Sequence, residues 1–292
     1  MDARSGTDPL VVIVGQTASG KSALAMQLAG QFNGELICAD AWTIRRGVDI
    51  GTAKPSKEDQ ARVPHHLLDI AGPDEDFTAA VFKGLAQHAI ADVTARGKLP
   101  IMVGGTGLYI DGVLYDYGFL PAGNRHERES LNSKTNQELL ELLAERKLSV
   151  EGIDTSNKRR LIRLLETNGA RGEHADLRSR TVILGLRISK EKLHERITAR
   201  VDAMLSAGLE LEVKQLANTY GWDCEALKGI GYREWREYFE DAQSLAQTRD
   251  RIISSTLGLA KRQNTWFKRN DSIRWLNDPS DAVDLVTTFL NK

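Results

Sequence analysis

The residues best suited to chemistry stand near the start of the chain, where Gly15–Ser22 fits the pattern G-x-x-x-x-G-K-[ST]. In this pattern the glycines let the backbone curl so that several N–H groups face phosphate oxygens. Lys21 can then reach the outer phosphate, and Ser22 can ligate Mg²⁺. We therefore predict a cradle for a diphosphate or a triphosphate. Its predicted ligand-binding residues are Gly15, Gln16, Thr17, Ala18, Ser19, Gly20, Lys21 and Ser22, and Ser22 is also the predicted metal ligand.

The phosphate loop stands between elements that would position it. Leu10–Val14 is an unbroken apolar run, typical of a buried strand, and Ala23–Ala29 is typical of a helix. Glu35–Ala39 and Leu99–Val103 predict two further parallel strands, and apolar residues at helical spacing across Phe77–Ala95 predict the crossover helix. This context favours a ligand-binding loop over a glycine-rich turn without a ligand. We predict an α/β fold with a P-loop NTPase-like parallel sheet flanked by helices.

Two polar residues follow the other predicted strands. Asp40 comes directly after Glu35–Ala39, and Thr106 lies in a glycine-rich turn, Gly104–Tyr109, that follows Leu99–Val103. Because the carboxyl ends of parallel strands meet at one edge of a sheet, both residues should lie near the phosphate loop. Asp40 could instead cap a turn or a helix, and Thr106 could instead be a helix N-cap.

The second half of the chain predicts another core strand and a helix that carries two arginines. Thr181–Ile188 predicts a strand, and Lys190–Ala207 predicts an amphipathic helix that Gly208 ends. Arg196 and Arg200 lie one turn apart on this helix. Two guanidinium groups on one face could bind an anionic ligand, or they could pair with the carboxylates of the same helix.

A helical insertion is predicted between these two parts of the core. Residues 121–175 are charged and helix-rich, so we predict that they form a small domain, while residues 1–120 and 176–292 form the catalytic core with its C-terminal helices. Three arginines of the insertion stand close together, the first and last one helical turn apart. They could bind phosphate or form a solvated face. They are Arg159, Arg160 and Arg163.

The segment Lys261–Arg269 interleaves four cations with two aromatic residues. Such a combination can grip phosphates and stack a nucleic-acid base. Trp266 and Phe267 could instead dock this helix on the core. The turn Lys228–Arg233 contains the same kinds of residue, and it too could stack a base and contact phosphate.

Composition limits the class of protein. A chain of 292 residues with 41% hydrophobic content can bury a full core. The formal net charge is −1, so the whole molecule is not a basic nucleic-acid binder, although basic residues are weakly enriched after residue 120. The chain has no apolar run long enough to span a membrane, and Met1–Pro9 does not resemble a signal peptide, so we expect a soluble cytoplasmic protein. We also expect a monomer.

Cysteine and histidine residues do not predict a metal cluster. Cys38 and Cys224 form neither a disulfide framework nor a metal motif, which suits a reducing cytosol. His65 and His66 are adjacent and point in divergent directions, and no third ligand stands at a supportive spacing. We predict that these two histidines form a packed or hydrogen-bonded pair.

The ordered motifs resemble the tRNA dimethylallyltransferase (tRNA isopentenyltransferase) family over nearly the whole chain. The chain departs from the family pattern at Gln16, Ala41, Thr43 and Arg45. Besides the phosphate loop, the motifs that carry the resemblance are Gly47–Pro55, His65–Asp69, Val103–Tyr109, Arg196–Met204, Gly208–Val213, Ile230–Arg233 and Lys261–Phe267.

The resemblance implies transfer of a dimethylallyl group from dimethylallyl diphosphate to N6 of the adenosine just 3′ of the tRNA anticodon, with release of diphosphate. By resemblance, Asp40 is the base that acts on the adenine amino group. Thr106 and Arg200, with Arg196 beside it, would contact the diphosphate or orient the adenine. Mg²⁺ is the implied cofactor, dimethylallyl diphosphate the co-substrate and the tRNA anticodon stem-loop the partner. The implied tRNA contacts are Asp40, Ala41, Trp42, Thr43, Thr106, Arg128, Arg159, Arg160, Arg163, Lys228, Gly231, Tyr232, Arg233, Lys261, Arg262, Gln263, Trp266 and Lys268.

Two other classes of protein share parts of this pattern. A small-molecule or nucleoside kinase would use Asp40 as the base for an acceptor hydroxyl, with Arg196 and Arg200 as lid arginines. Such a kinase has no need for the aromatic and basic segment near the C-terminus. A non-catalytic RNA-binding protein could keep the fold, but it would not need an intact phosphate loop.

Overall fold

The fold is built on one sheet of six strands. Its strands are β1 (Leu10–Gly15), β2 (Gly34–Ala39), β3 (His65–His66), β4 (Leu99–Gly104), β5 (Thr181–Leu186) and β6 (Ile273–Leu276). They pair in parallel in the order β3-β2-β4-β1-β5-β6. A computed structural model describes residues 8–121 and 123–291 of the chain. The predicted parallel α/β sheet is confirmed.

β1 lies at the centre of the sheet, with β4 and β5 on its two sides. All six of its residues are buried, and so its sequence is continuously apolar rather than alternating. The edge strands β3 and β6 have no such signal. β3 consists of only two half-buried histidines, and β6 has four residues of which only the first and last are buried.

Helices connect the strands of the sheet. Gly104–Tyr109 is not a continuous turn as predicted, because a helix already begins at Gly107. Among the described residues, no helix is both long and apolar enough to cross a membrane. The helices are α1 (Lys21–Gln31), α2 (Lys57–Arg62), α3 (Ala79–Ala95), α4 (Gly107–Leu114), α5 (Arg125–Ser133), α6 (Asn136–Glu145), α7 (Lys158–Glu166), α8 (Lys190–Ser206), α9 (Leu209–Tyr220), α10 (Arg236–Phe239), α11 (Leu245–Phe267) and α12 (Asp281–Leu290).

The chain divides into two compact units. One contains the sheet and comprises the residues up to Leu114 together with those from Leu177 onward. The other is Tyr115–Asp176, where the sequence placed the insertion at residues 121–175. This second unit consists of α5, α6 and α7 around its own apolar core. The fully buried side chains of that core include Leu131, Leu139, Leu143, Leu161, Ile162 and Leu165.

One of the two histidines of β3, His66, belongs to an ionic cluster around Glu35. Glu35, near the start of β2, is 1% exposed, and its carboxylate accepts hydrogen bonds from Arg96 and pairs with Lys98. His66 Nε2 lies 2.7 Å from Glu35 Oε2, while His65 Nδ1 lies 2.7 Å from the Val63 carbonyl oxygen. Hydrogen bonds from Arg96 hold the pKa of Glu35 far below its usual range. Within residues 8–121 and 123–291, no group of histidine, cysteine and acidic side chains could hold a metal ion.

Candidate active site

The phosphate loop connects the last residue of β1, Gly15, to the first residue of α1, Lys21. Two left-handed residues curl its backbone: Ala18 has a φ of 60° and Gly20 a φ of 100°. Gly15 cannot carry a side chain, because a Cβ there would lie 2.7 Å from the Leu186 carbonyl oxygen. A curled backbone of this kind turns N–H groups toward a common centre, and the start of α1 adds partial positive charge. The loop therefore has the form of an anion cradle.

Two side chains of the loop are suited to an anionic ligand. The buried Ser19 hydroxyl has no hydrogen-bond partner within the described part of the chain. Lys21 Nζ donates to the Gln16 carbonyl oxygen at 2.6 Å. Burial lowers the pKa of Lys21 to about 8, the charge of Asp40 opposes this shift, and the charge of Arg200 adds to it. A cation that has lost part of its hydration is stabilised by a bound anion, so Lys21 is electrostatically suited to a diphosphate.

Helix α8 brings two arginines to the loop from far along the chain. Arg200 Nη1 donates to Thr17 Oγ1, and Arg196 Nη1 donates to the Ala18 carbonyl oxygen, both at 3.3 Å. Burial lowers the pKa of Arg200, and the charge of Asp40 opposes the shift. Both guanidinium groups therefore lie at the phosphate loop, where an anion would be bound.

Asp40 and Thr106 occupy neighbouring positions at the carboxyl ends of β2 and β4. Asp40 Oδ1 accepts from the backbone N–H of Trp42 at 2.9 Å and of Thr43 at 3.4 Å. Thr106 Oγ1 accepts from the backbone N–H of Ala41 at 3.0 Å. Asp40 thus caps the turn that follows β2, as the alternative interpretation expected, and Thr106 joins that turn to the end of β4. The Thr43 hydroxyl is buried and has no hydrogen-bond partner among the described residues.

A small cavity lies between the phosphate loop, Asp40 and Arg200. Thr17, Asp40 and Arg200 all line a cavity of about 80 Å³. Its polar side therefore offers two groups of opposite charge, the Asp40 carboxylate and the Arg200 guanidinium group. Most of the remaining wall is apolar. The apolar and aromatic side chains of that wall are Trp42, Val201, Met204, Ile230, Ile252 and Leu259.

Helix α11 holds the phosphate loop against the end of β4. Gln263 is 8% exposed; its Oε1 accepts from the backbone N–H of Thr17 at 2.7 Å, and its Nε2 donates to the Gly105 carbonyl oxygen at 3.1 Å. Trp266 Nε1 donates to Asp111 Oδ2 at 2.7 Å. The sequence placed Gln263 and Trp266 among tRNA contacts, whereas the structure directs their polar atoms to the protein. No local pattern indicates these bonds, because their partners lie more than 150 residues away.

The two faces of α11 have different surroundings. On the inner face the Ala260 carbonyl oxygen accepts from Gln16 Nε2 at 3.2 Å, and Phe267 is 2% exposed. This face docks on the core, which the sequence had left as an alternative for the aromatic residues. The exposed cations of the segment lie on the other face. They are Lys261, Arg262, Lys268 and Arg269.

A buried tyrosine of the turn at residues 228–233 fixes that turn against neighbouring segments. Tyr232 is fully buried, and its hydroxyl donates to Glu212 Oε1 at 2.7 Å. The Glu212 carboxylate also accepts from the backbone N–H groups of residues 49–51 at 2.9 to 3.1 Å. A Cβ at Gly51 would lie 2.6 Å from the Tyr232 ring, so the two segments are in close contact. The tyrosine predicted to stack a base therefore supports the turn instead.

The remaining predicted residues of this turn lie nearer the surface. Lys228 is exposed and pairs with Glu225, and Arg233 is exposed and pairs with Glu234. Gly231 is buried with a φ of 92°, a conformation that glycine adopts without strain. Both ion-paired cations lie at the surface, within three residues of the cavity-lining residue Gly231.

The arginines of the helical insertion form two groups. Arg159 and Arg160 are exposed on α7. Arg163 and Arg128 both lie within 3.2 Å of the carboxylate of Glu166, whose side chain is fully buried. The first group is free to meet a ligand from solvent, and the second holds α5 and α7 together through a shared carboxylate.

The fold and this site define a P-loop protein of the parallel α/β class. The family model described as IPP transferase matches residues 43–270. The chain therefore belongs to the IPP transferase family, whose members transfer a prenyl group.

Relatives and solved structures agree with this family over nearly the full length. The chain is 41% identical to a tRNA dimethylallyltransferase of Anoxybacillus flavithermus over 287 residues, which is 94% of this chain and 92% of that one. It is 37% identical to the enzyme of that name from Bacillus subtilis over 292 residues, 95% and 93% of the two chains.

Two solved structures are similar to the whole fold. The full-length tRNA isopentenylpyrophosphate transferase of Bacillus halodurans matches with a TM-score of 0.75 at 34% identity, covering 98% of this chain and 96% of that one. A eukaryotic dimethylallyltransferase acting on tRNA matches with a TM-score of 0.81 at 26% identity, covering 97% and 80%.

Proposed function

We propose that this protein transfers a dimethylallyl group from dimethylallyl diphosphate to N6 of the adenosine just 3′ of the anticodon in tRNA, releasing diphosphate. The observation that carries the proposal is the cavity in which Asp40 and Arg200 meet Thr17 of the phosphate loop beside an apolar wall. A carboxylate, an anion-binding loop and an apolar surface are the three environments that this transfer needs. A single chain supplies all of them, so we propose a monomer.

Asp40 is proposed to act on the nucleophile. The adenine amino group attacks poorly because its lone pair is delocalised into the ring. As the N6–C1 bond to the dimethylallyl group forms, a proton leaves N6, and the Asp40 carboxylate is placed to accept it. The C1–O bond breaks at the same time, and its electron pair leaves with the diphosphate. Thr106, bonded to the N–H of Ala41, is proposed to fix the turn that presents Asp40.

The phosphate loop and the α8 arginines are proposed to bind the departing diphosphate. Negative charge grows on the bridging oxygen as the C1–O bond breaks. Lys21, Arg196 and Arg200 surround the loop with three cations, and the unpaired Ser19 hydroxyl can donate to a phosphate oxygen. Such fixed charges stabilise the transition state because they need no reorganisation during the reaction.

The donor set of the loop fits a magnesium ion. Mg²⁺ prefers oxygen ligands and keeps several waters, so one protein hydroxyl together with diphosphate oxygens is sufficient. Ser22 is exposed in the first turn of α1, directly after Lys21, and can provide that hydroxyl. When bound, the ion would neutralise charge on the leaving diphosphate.

Exposed cations are proposed to bind the tRNA. The target adenosine must leave its stack to reach the half-buried Asp40 carboxylate in the cavity, so the protein has to hold the anticodon stem-loop around it. We propose that the outer face of α11, the exposed cations of the turn at residues 228–233 and the exposed arginines of the insertion contact RNA phosphates. The half-buried Trp42 lines the cavity and is proposed to contact the extruded base.

The proposal is tested by following two labels. Purified protein is incubated with Mg²⁺ and unmodified tRNA whose anticodon is followed by adenosine, once with labelled dimethylallyl diphosphate and once with labelled ATP. Label transferred to the tRNA from the prenyl donor is the expected result. ATP-dependent phosphorylation of a small acceptor, without prenyl transfer, would instead identify a kinase.

The charge of Lys21 predicts how donor binding depends on pH. With a pKa of about 8 in the free protein, Lys21 is cationic below this pH and loses its charge as the pH rises above it. We expect the KM for dimethylallyl diphosphate to rise above pH 8, approaching about tenfold per pH unit. Steady-state kinetics at several pH values measure this slope. A Lys21→Arg variant keeps its charge and should show a flatter slope, so an equal slope in both proteins would contradict the assignment.

The outer face of α11 predicts the salt dependence of tRNA binding. Changing Lys261, Arg262 and Lys268 to alanine removes three exposed charges. We expect weaker tRNA binding and a reduction of roughly 2 to 3 in the slope of log K against log salt. Binding titrations at several salt concentrations measure both. A control variant with alanine at three exposed cations elsewhere, Arg62, Lys214 and Arg274, should bind tRNA as the parent protein does; equal effects in both variants would show a non-specific charge effect.

A further inference from the structure

Two cavities near the phosphate loop share wall residues on helix α8. The inner cavity, of about 80 Å³, contains Asp40 and Thr17. The outer cavity, of about 440 Å³, is lined by the loop at residues 49–57 and by α8. Arg200 and Met204, one turn apart on α8, line both cavities. These two side chains therefore form the partition between the small cavity and the large one.

The outer cavity could accept an apolar chain if the partition were open. Half of its twelve lining residues are apolar, and the inner cavity is apolar around Val201, Ile252 and Leu259. Apolar surfaces on both sides would favour burial of a longer hydrocarbon. The apolar residues of the outer wall are Ile50, Ala53, Pro55, Ala203, Met204 and Ala207.

Of the two partition residues, only Met204 could give way to a hydrocarbon without removing a charge from the anion site. Arg200 is a cation bonded to Thr17 Oγ1 of the loop, so an apolar chain in its place would remove an ion from the anion site. Met204 is apolar and 9% exposed, and its neighbours on the helix face are buried. Methionine is unbranched and fills irregular gaps in a core, which suits a side chain that closes the end of a pocket.

We propose that Met204 limits the prenyl donor to five carbons by closing the inner cavity against the outer one. This inference rests on the proposed function. The bonds that change are the same for a longer donor: N6–C1 forms, C1–O breaks, the electron pair leaves with diphosphate, and the N6 proton passes to Asp40. The additional carbons of geranyl diphosphate, however, must pass the position of Met204 to find space.

The test compares dimethylallyl and geranyl diphosphate as donors to the same tRNA. In the parent protein we expect transfer from the first and very slow transfer from the second. Met204→Ala should raise the ratio of kcat/KM for geranyl over dimethylallyl diphosphate by about tenfold or more, since one methylene in an apolar pocket already discriminates by about 10- to 200-fold. Met204→Leu keeps the side-chain volume and should retain the selectivity of the parent. An unchanged ratio in Met204→Ala, or efficient geranyl transfer by the parent, would overturn the proposal.

A second pair of variants tests whether the longer donor enters the outer cavity past Met204 or is accepted because the core is generally loosened. Ala203 lines only the outer of these two cavities and is exposed, so Ala203→Leu should narrow that cavity beside Met204. Combined with Met204→Ala, it should abolish the gain with geranyl diphosphate while dimethylallyl transfer continues. Persistent geranyl transfer would mean that the chain takes another route. If Met204→Ala unfolds, the smaller truncation Met204→Val should give a proportionate gain. Absence of dimethylallyl transfer by the parent would defeat the proposed function rather than this inference.

Discussion

Replacing Asp40 with asparagine is expected to lower turnover by about a hundredfold or more, because a positioned general base typically contributes about 10²–10⁴-fold. Asparagine cannot accept the proton that leaves N6 of adenine. Affinity for tRNA should change little, since the substitution removes one of many contacts and no cation. Single-turnover prenyl transfer and equilibrium tRNA binding, measured on the same preparation, give the two quantities separately.

The structure makes this substitution an unusually clean test. Both backbone hydrogen bonds to Asp40, from Trp42 and Thr43, are accepted by Oδ1. Asparagine keeps an oxygen that can accept these bonds, so the turn after β2 should stay in place while the basic oxygen is lost. Asp92→Asn, at an exposed carboxylate on α3, is a matched control that should leave turnover near that of the parent. Near-normal turnover in Asp40→Asn would remove Asp40 as the base.

The parts of the site that could be predicted are those encoded by neighbouring residues. The phosphate loop follows from eight consecutive residues between an apolar run and a helix, and Asp40 follows from its place directly after a buried strand. The helical spacing of Arg196 and Arg200 puts them on one face whatever that face contacts. In each case local geometry determines the position of the side chain, so a short pattern is sufficient.

The contacts that could not be predicted join distant parts of the chain. Glu212 holds the backbone of residues 49–51 across more than 160 positions, and Tyr232 is directed into that contact rather than toward RNA. The sequence pattern of an aromatic residue beside cations is the same whether the aromatic ring packs inside the protein or stacks on RNA. Only tertiary packing distinguishes the two roles. The edge strand β6 likewise has no strong pattern, because only two of its four residues are buried.

Gln263 is a residue whose role differs between the sequence and the structure. Resemblance assigns it to the tRNA contacts. The structure instead shows one buried amide that accepts from Thr17 N–H at 2.7 Å and donates to the Gly105 carbonyl oxygen at 3.1 Å. It therefore joins the phosphate loop to the segment after β4 that carries Thr106.

Gln263→Leu is expected to lower turnover by about tenfold to a hundredfold, because small misplacements of positioned groups can cost about 10²-fold. The KM for dimethylallyl diphosphate should rise as well, since the N–H of Thr17 belongs to the phosphate loop. Leaving these two backbone groups unpaired should also destabilise the fold by about 1 to 3 kcal/mol for each group, measured by chemical denaturation. Affinity for tRNA should remain that of the parent protein.

Two comparisons decide between positioning and RNA binding at Gln263. Gln263→Glu retains an acceptor for Thr17 N–H but cannot donate to the Gly105 carbonyl oxygen, so it should lose less activity than Gln263→Leu. Gln215→Leu, at an exposed position on α9, should change neither stability nor kinetics appreciably. If Gln263→Leu instead weakened tRNA binding with kcat and donor KM intact, the amide would be an RNA contact. The bonds that it makes in this fold would then be incidental to the transfer.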